Sequence, residues 1–374
     1  MTVRQKILFI FGTRPEVIKL APVILEMKKY PEFFEVVLCS SGQHKELLEL
    51  ALGDFGLNPD YYLQVMDPDQ SLSSLTSKLL DGLSKVMEQC LPDLLLIQGD
   101  TTTVMAGALA AFYKGIQIGH IEAGLRSHNL HSPFPEEFNR RVVSLLANYH
   151  FTPTNDATLN LTNESTDSNT VFETGNTIVD SLIHVQKYKK SSQFTHDIEA
   201  ALSSFEKIIL VTAHRRENFG ESIIAICNSL KAIVHENREV GIIFPVHMNP
   251  NVMEPVHRIL GEIPQILLVQ PLSYPNIISL MQKCYLVLTD SGGIQEEALA
   301  LSIPVLVMRD TTEREEGVRA GGSILVGTDS QSIVSKANKI LKDEKLHRMM
   351  SDAANPYGDG TAAAQIVSIL IGKM

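Results

Sequence analysis

The sequence is poor in cysteine, and the few cysteines that it contains are scattered. The 4 cysteines among 374 residues are Cys39, Cys90, Cys227 and Cys284, and they form no CxxC pair. This spacing argues against a disulfide framework and against a zinc site, and it is typical of proteins in a reducing compartment. We therefore expect a cytoplasmic protein.

Long hydrophobic runs are also missing. No apolar stretch approaches the roughly 20 residues that a membrane-spanning helix needs. The apolar stretch near the start, ILFIF, is too short for the core of a signal peptide and leads directly into GTRPE. The sequence thus predicts a soluble protein with no membrane partner.

The chain has no excess of positive charge. Its formal net charge is −11 at pH 7, which argues against a general affinity for nucleic acid or anionic lipid. A small anion is still a possible ligand, because a pocket can be basic inside an acidic shell.

Short apolar runs alternate with helical patterns along almost the whole chain. The runs are KILFIF, EVVLC, LLLIQ and QIGHI in the first half, and KIILVT, GIIFPV, ILLV, LVLT and VLVM in the second. Amphipathic patterns at residues 16–30, 72–90, 102–114 and 222–235 predict helices between them. Continuous apolar strands separated by helices are typical of a parallel sheet covered on both faces. The predicted fold class is therefore α/β, with doubly wound, Rossmann-like sheets.

The length of the chain and one polar break predict two domains. The stretch KYKKSSQFT at residues 187–195 has no apolar periodicity, and a second α/β series begins at Lys207. We expect a first domain at residues 1–187 and a second at residues 196–360, facing each other across a cleft. A last helix, at residues 361–374, follows the turn-rich segment NPYGDG.

Charged or glycine-rich clusters follow seven of the predicted strands. They read GTRPEVIKL, GDTTT, EAGLRS, AHRREN, HMNP, DSGGIQEE and RDTTERE. In open α/β sheets, ligands bind outside the carboxyl ends of the strands. Clusters at so many strand ends predict a ligand cleft.

The glycines of DSGGIQEE predict a phosphate site. They let backbone N–H groups approach an anion at a helix N-terminus. The stretch is neither GxxxxGK[ST] nor GxGxxG, so it gives little support for ATP or NAD. A diphosphate could be neutralised by Arg14, Lys19, His214 and Arg314. Because Glu296 or Glu297 could then accept hydrogen bonds from ribose hydroxyls, a nucleoside diphosphate fits this turn.

Each of these features also has a plainer interpretation. SGG followed by two glutamates is often no more than a well-capped helix. Asp100 and Glu122 could be helix caps or surface acids. His120, His128 and His131 have a spacing that matches no zinc site, and we predict no metal.

Taken together, the motifs resemble a known family of enzymes. They are FGTRPEVIKLAPV, GQHKELL, QGDTTTVMAGALAAFY, HIEAGLRS, PFPEEFNR, TGNTIVDSL, TAHRRENFGE, PVHMNP, LTDSGGIQEEA, PVLVMRDTTERE and NPYGDG. They resemble the non-hydrolysing UDP-N-acetylglucosamine 2-epimerases from about residue 6 onwards. The resemblance implies a fold of the glycosyltransferase-B type, with the C-terminal helix packed back on the first domain.

The resemblance also implies a reaction. It is the reversible conversion of UDP-GlcNAc to UDP-ManNAc without a redox cofactor, by anti elimination of UDP to a 2-acetamidoglucal and re-addition. Inversion at carbon 2 needs acid/base groups on both faces of the sugar, which fits a surplus of carboxylates. By similarity, the catalytic residues are Asp100, Glu122, Glu136 and His214. Which acid removes which proton stays open.

By the same similarity, a further set of residues binds the nucleotide. The positions are Arg14, Lys19, Ser291, Gly292, Gly293, Glu297 and Arg314, with Leu272 and Ile277 at the uracil. This favours Glu297 over Glu296 for the ribose. Family members are expected to be homodimers.

Two departures from the family pattern stand out. Glu315 replaces the proline of an ERPE motif, so its loop loses rigidity and gains a charge. Some members bind a second UDP-GlcNAc as an activator, and the matching positions here are Gln43, His44, Gln70, Arg215 and His247. Asp69 replaces an arginine usual at that site, and an acid facing a diphosphate weakens its binding. Allosteric activation is therefore a hypothesis.

Other functions remain open at this point. A hydrolysing relative would release ManNAc and UDP, and a sister enzyme would act on a UDP-diacetamido uronic acid. A glycosyltransferase of the same fold would need an acceptor. A non-catalytic nucleotide-sugar sensor would have no use for the surplus acids. The epimerase is the favoured function, and its product would feed the synthesis of a surface polysaccharide.

Overall fold

The computed structural model describes residues 4–42, 45–67, 70–188 and 194–373. By its internal contacts the chain divides into two compact units. The first unit comprises Met1–His184 and Tyr357–Met374, and the second comprises Val185–Pro356.

The first unit is built around one parallel sheet. In its described part the sheet has seven strands in the order β3-β2-β1-β4-β5-β6-β7. The strands are β1 (Gln5–Phe11), β2 (Phe34–Ser40), β3 (Tyr61–Tyr62), β4 (Leu94–Gln98), β5 (Gln117–Ile121), β6 (Tyr149–Thr152) and β7 (Val171–Glu173). The helices that connect them are α1 (Arg14–Met27), α2 (Lys45–Phe55), α3 (Leu72–Cys90), α4 (Thr102–Tyr113), α5 (Glu136–Leu146), α6 (Asn155–Asn163) and α7 (Thr177–Tyr188).

The second unit repeats this plan. The described part of its sheet has six parallel strands in the order β10-β9-β8-β11-β12-β13. They are β8 (Lys207–Thr212), β9 (Val240–Pro245), β10 (Ile266–Val269), β11 (Leu286–Thr289), β12 (Val305–Val307) and β13 (Ser323–Leu325). Its helices are α8 (His196–Ser204), α9 (Glu221–Glu236), α10 (Pro250–Leu260), α11 (Tyr274–Met281), α12 (Gly292–Ala300), α13 (Glu315–Arg319), α14 (Ser330–Lys342) and α15 (Glu344–Ser351).

Helices on both sides bury the central strands. Ile7 to Phe11 of β1 are fully buried, and so are Leu95 to Ile97 of β4. Helix α3 buries a single stripe that includes Leu75, Leu79 and Leu83, which is the spacing of an amphipathic helix. Helix α4, with its sequence TTVMAGALAAFY, buries most of its surface, and small residues let it pack closely. A Cβ on Gly107 would lie 3.4 Å from the side chain of Ile10.

The last helix, α16 (Ala362–Lys373), belongs to the first unit and packs against α1. Asp180 of α7 caps it, because the Asp180 Oδ1 atom accepts a hydrogen bond of 2.9 Å from the Ala363 N–H. Among the residues that the structure describes, no helix is both long and apolar enough to cross a membrane.

The predicted fold class is confirmed, since both units are doubly wound α/β sheets. All nine apolar runs named above form strands. Much of the predicted break at residues 187–195 lies outside the described residues. Because the strands are parallel, each sheet has one edge at which all its strands end, and the candidate site residues follow those ends.

Candidate active site

Asp100 lies in the turn between β4 and α4, where it is held by α5. Its Oδ2 atom accepts a hydrogen bond of 2.7 Å from Arg140, whose side chain is almost completely buried. Its backbone carbonyl accepts a second hydrogen bond, from Asn139. The preceding residue, Gly99, has a φ of 80°, which a side chain would disfavour. The turn therefore presents Asp100 in one orientation beside a buried cation.

Glu122 lies at the end of the neighbouring strand, β5. It has a φ of 63°, which is unusual for a residue with a side chain, and such strained backbone is frequent at functional sites. Its carboxylate accepts hydrogen bonds from the Lys19 ammonium and the Gln98 amide, and it lies 3.4 Å from the Asn176 amide. Lys19, assigned above to the nucleotide, thus contacts a candidate catalytic acid here.

Glu136 begins helix α5. Residues three and four positions apart share a helix face, so Glu136 lies on the same face as Asn139 and Arg140, which contact the Asp100 turn. The next residue, Glu137, is fully buried and accepts hydrogen bonds from the backbone of Ser127 and from the side chain of Arg141. Of the two adjacent glutamates, the second therefore has a structural role.

His120 also supports the turn that carries Asp100. It is fully buried, and its Nε2 atom donates a hydrogen bond of 2.7 Å to the Gly99 carbonyl. Burial lowers the pKa of His120 to about 4, so the ring is neutral at pH 7. Among the described residues, no group of three or more His, Cys, Asp or Glu side chains could hold a metal ion.

In the second unit, His214 and Asp290 meet at the ends of the adjacent strands β8 and β11. The His214 Nδ1 atom lies 3.2 Å from the Asp290 Oδ1 atom. The other oxygen, Oδ2, accepts hydrogen bonds of 2.9 Å from the backbone N–H of His214 and of Arg215 and from the Asn218 amide. Burial alone would raise the pKa of Asp290, but the contact with the His214 ring and the backbone hydrogen bonds from Arg215 and His214 lower it to about 2. Asp290 thus fixes both the loop and the ring of His214.

The glycine turn begins helix α12 directly after Ser291. Arg314 packs on Gly292 so closely that a Cβ there would lie 2.6 Å from the Arg314 Cζ atom. Arg314 is held by Glu296 at 2.9 Å and by Glu313 at 2.6 Å. Glu296 therefore binds Arg314 in this structure, and the choice of Glu297 for the ribose stays a prediction.

The two residues assigned to the uracil lie near the end of β10. Ile277 is on α11 and is 6% exposed, while Leu272 is half-buried in the loop before that helix. Both lie in the second unit, like the glycine turn.

The residues assigned to an activator site are only partly described. Gln43, His44 and Asp69 lie outside the described residues. The Gln70 side chain accepts a hydrogen bond from the Asp67 N–H. His247 stacks on the His214 ring at 5.8 Å, and the Arg215 guanidinium lies 3.6 Å from Glu313. The two positions Arg215 and His247 therefore border His214.

Reasoning from the sequence missed the groups that hold the candidate catalytic residues. Arg140 lies four residues after Glu136 in PEEFNR, and helical spacing was a signal that could have placed it on the same face. Asp290 stands directly before the glycine turn, and its position in the sequence gave no signal of its contact with His214.

Comparisons with known proteins identify the family. The family described as UDP-N-acetylglucosamine 2-epimerase matches residues 26–371. The UDP-N-acetylglucosamine 2-epimerase of Escherichia coli K12 is 48% identical over 370 residues, which cover 98% of each chain.

Solved structures agree with that match. The crystal structure of UDP-GlcNAc 2-epimerase from Neisseria meningitidis bound to UDP-GlcNAc has a TM-score of 0.94 and 43% identity, covering 98% of this chain and 100% of that one. The Methanocaldococcus jannaschii enzyme, in complex with UDP-GlcNAc and UDP, has a TM-score of 0.85 and 32% identity, covering 98% and 99%. The match over nearly the whole chain and the shared fold place it among the epimerases that act on nucleotide sugars, which are isomerases. This chain belongs to the UDP-N-acetylglucosamine 2-epimerase family, which confirms the resemblance.

Proposed function

We propose that the protein catalyses the reversible 2-epimerisation of UDP-GlcNAc to UDP-ManNAc. The observation that carries this proposal is the similarity over nearly the whole chain to epimerases, including one solved with UDP-GlcNAc bound. The carboxylates at the edge of the first sheet support it, since the reaction moves a proton at carbon 2.

The proposed route is elimination followed by re-addition. A carboxylate takes the proton from carbon 2, the C–H electron pair forms the carbon 1–carbon 2 double bond, and the bond between carbon 1 and the diphosphate oxygen breaks with its electrons on UDP. UDP then adds again after a proton is delivered to the opposite face of carbon 2. Asp100, Glu122 and Glu136 supply the acid/base groups, and a base must lie close to the weakly acidic C–H to act.

The departing UDP gains negative charge, so donors must face its phosphates. We assign this task to Arg14, Arg314, and the backbone of Ser291, Gly292 and Gly293 at the start of α12. His214, which Asp290 orients, assists the departure of UDP. Glu297 accepts hydrogen bonds from the ribose, and Leu272 and Ile277 contact the uracil. Lys19 takes part through its bond to Glu122.

The test is incubation with UDP-GlcNAc in deuterated water, followed by NMR. The expected product is UDP-ManNAc with deuterium at carbon 2 and little free UDP. Free ManNAc and UDP in equal amounts would instead make the protein a hydrolysing relative. If UDP-GlcNAc stays unchanged, the proposal is wrong for this substrate, and a UDP-diacetamido uronic acid is the next substrate to try.

Regulation by a second UDP-GlcNAc remains part of this proposal. The positions Arg215 and His247 border His214, so a ligand there would act on the ring that assists UDP departure. The measurement is turnover of UDP-ManNAc alone. A lag that added UDP-GlcNAc abolishes is expected, whereas prompt reverse reaction without UDP-GlcNAc would exclude obligatory activation.

A cytoplasmic homodimer is the form that we propose for the enzyme. The described cysteines are free, which fits a reducing compartment. Phe112, Tyr113 and Leu145, on the contacting helices α4 and α5, are 56%, 73% and 85% exposed and offer an apolar surface to a second copy. Light scattering should give twice the chain mass of 41.3 kDa. Leu145→Glu should reduce that mass, while Leu159→Glu on α6 serves as the control.

A further inference from the structure

Glu16 is a buried acid that has no role in the proposed reaction so far. It lies in the first turn of α1 and is 2% exposed. Its Oε2 atom accepts hydrogen bonds from the backbone N–H of Gly12 at 2.9 Å and of Thr13 at 2.6 Å. A glutamate at this position commonly closes a helix cap, so these two bonds alone would make Glu16 a structural residue.

The other oxygen of Glu16 makes a hydrogen bond that a helix cap does not require. Its Oε1 atom accepts a hydrogen bond of 2.8 Å from the Thr101 hydroxyl, 85 residues away in sequence. Thr101 directly follows Asp100 and caps α4, because its hydroxyl also accepts from the Val104 N–H. One buried carboxylate therefore joins the turn that carries Arg14 to the turn that carries Asp100.

The two turns follow adjacent strands. β1 and β4 are paired in the sheet, with Ile7 opposite Leu94. Past the ends of the strands, the backbone ladder no longer fixes the spacing of the two turns. Burial raises the pKa of Glu16 above its ordinary value, and its hydrogen bonds to Thr13, Gly12 and Thr101 oppose this shift only in part. These bonds compensate the buried charge only if both turns keep their present positions.

We propose that Glu16 is a positioning residue, which holds the Asp100 turn at a fixed distance from the Arg14 turn. The inference rests on the proposed function, in which Asp100 works at carbon 2 while Arg14 faces the phosphates. Elimination breaks bonds at carbon 1 and carbon 2 together, so the spacing of these two groups determines the rate. A small displacement of a catalytic group can lower a rate by about 100-fold.

Two substitutions weaken this link from opposite sides. In Glu16→Gln the amide oxygen can still accept from the backbone, but the amide nitrogen cannot accept from Thr101. Thr101→Val removes the donor and keeps the shape. Each should lower kcat by about tenfold while KM and the Kd of UDP change by less than about threefold. The double variant should be no slower than the slower single variant, because both remove the same bond.

Matched controls separate positioning from a loss of stability. Thr101→Ser keeps the hydroxyl and should recover most of kcat. Thr195→Val removes the threonine cap of α8, whose hydroxyl accepts from the Ile198 N–H, and should lower Tm without lowering kcat. Wild-type kcat in both Glu16→Gln and Thr101→Val would overturn the inference, and so would equal losses in Thr101→Ser and Thr101→Val.

Failure of the proposed function gives a different result. In that case the wild-type protein leaves UDP-GlcNAc unchanged, and amide hydrogen exchange then tests the link directly. Thr101→Val should speed exchange at Gly12 and Thr13, although the substitution lies in another turn. Unchanged exchange at these amides would overturn the inference whatever the substrate is.

Discussion

The two units use opposite arrangements of charge at the edges where their strands end. In the first unit, carboxylates are presented and cations hold them: Asp100 is bound by Arg140, and Glu122 by Lys19. In the second unit, buried arginines are held by carboxylates. Arg309 lies 2.8 Å from both Glu217 and Glu313, and Arg314 is bound by Glu296 and Glu313.

This difference assigns different tasks to two similar sheets. Carboxylates that buried cations hold in place suit the transfer of protons, because a base must lie at a fixed position close to the C–H that it attacks. Arginines supported by carboxylates suit the binding of an anion, because phosphate oxygens can take over as partners of the guanidinium. The first unit is therefore expected to determine mainly turnover and the second mainly affinity for UDP. Two proposed roles cross this division: His214 of the second unit contributes to turnover, and Arg14 of the first unit faces the phosphates.

The strongest test of this division is Asp100→Asn. The amide keeps the shape of the side chain but cannot take a proton, so turnover should fall at least about 1,000-fold. The Kd of UDP should stay within about tenfold, or 1.4 kcal/mol, as measured by calorimetry. Asp93→Asn, at the amino end of the same strand, is the control and should keep full activity. A large loss of UDP affinity in Asp100→Asn would contradict the separation of tasks.

Asp290→Asn tests the contribution of His214 to turnover. Asn can accept some of the hydrogen bonds but no longer provides a charge beside His214, so kcat should fall by about 100-fold with a smaller change in UDP affinity. Equal kcat for Asp290→Asn and the wild type would mean that Asp290 does not act through His214.

Asp290 should also shape the stability of the protein in acid. Its folded pKa of about 2 lies below the ordinary value of 3.8. The folded state thus binds the proton less tightly than the unfolded state does. Asp290 therefore contributes about 2 kcal/mol to the free energy of unfolding above pH 4, and this contribution is lost as the pH falls towards 2. Denaturant unfolding between pH 6 and pH 3 should show a steeper decline for the wild type than for Asp290→Asn.

Local sequence patterns predicted the frame of both units but not these charge pairs. Eight of the nine strands found from their apolar runs have four or more residues, and α3 matches its predicted bounds of 72–90. The strands that were missed are short or carry polar residues, such as the buried His150 and Thr152 of β6. Lys19 and Glu122 are 103 residues apart, and Asp100 and Arg140 are 40 apart. Only the three-dimensional fold brings such pairs together, so no local period could reveal them.

The glycine turn offers a paired test of the second unit. Gly292→Ala would place its Cβ 2.6 Å from the Arg314 Cζ atom, so the guanidinium must leave its site between Glu296 and Glu313. UDP affinity should fall by about tenfold, since a charge-assisted pair is lost. Among the described residues, a Cβ on Gly293 would meet nothing within 4 Å.

Gly293→Ala is therefore expected to leave Tm unchanged, and any loss of UDP affinity in that variant measures how closely the phosphate approaches the backbone. Wild-type UDP binding by Gly292→Ala would show that Arg314 does not bind the diphosphate.

Among these substitutions, Asp180→Asn should affect turnover least. It tests whether the pKa of a buried acid depends on its hydrogen-bond partners. Asp180 is a buried acid of the first unit that accepts hydrogen bonds from the backbone N–H groups of Ala362 and Ala363 in α16. Burial raises its pKa to about 6, in contrast to Asp290, whose side-chain partners lower its pKa. The folded state therefore binds the proton more tightly, and about 3 kcal/mol of stability, present below pH 4, is lost as the pH rises through 6.

Asp180→Asn keeps an acceptor for the Ala363 N–H without the charge. Its free energy of unfolding should change little between pH 5 and pH 7, while that of the wild type should fall. Turnover at pH 7 should stay within about threefold of the wild type, because Asp180 holds the last helix and not the reacting groups. A parallel pH profile for the two proteins would mean that Asp180 keeps its ordinary pKa despite burial. The difference between acids with charged side-chain partners and acids with only backbone partners would then not extend to Asp180.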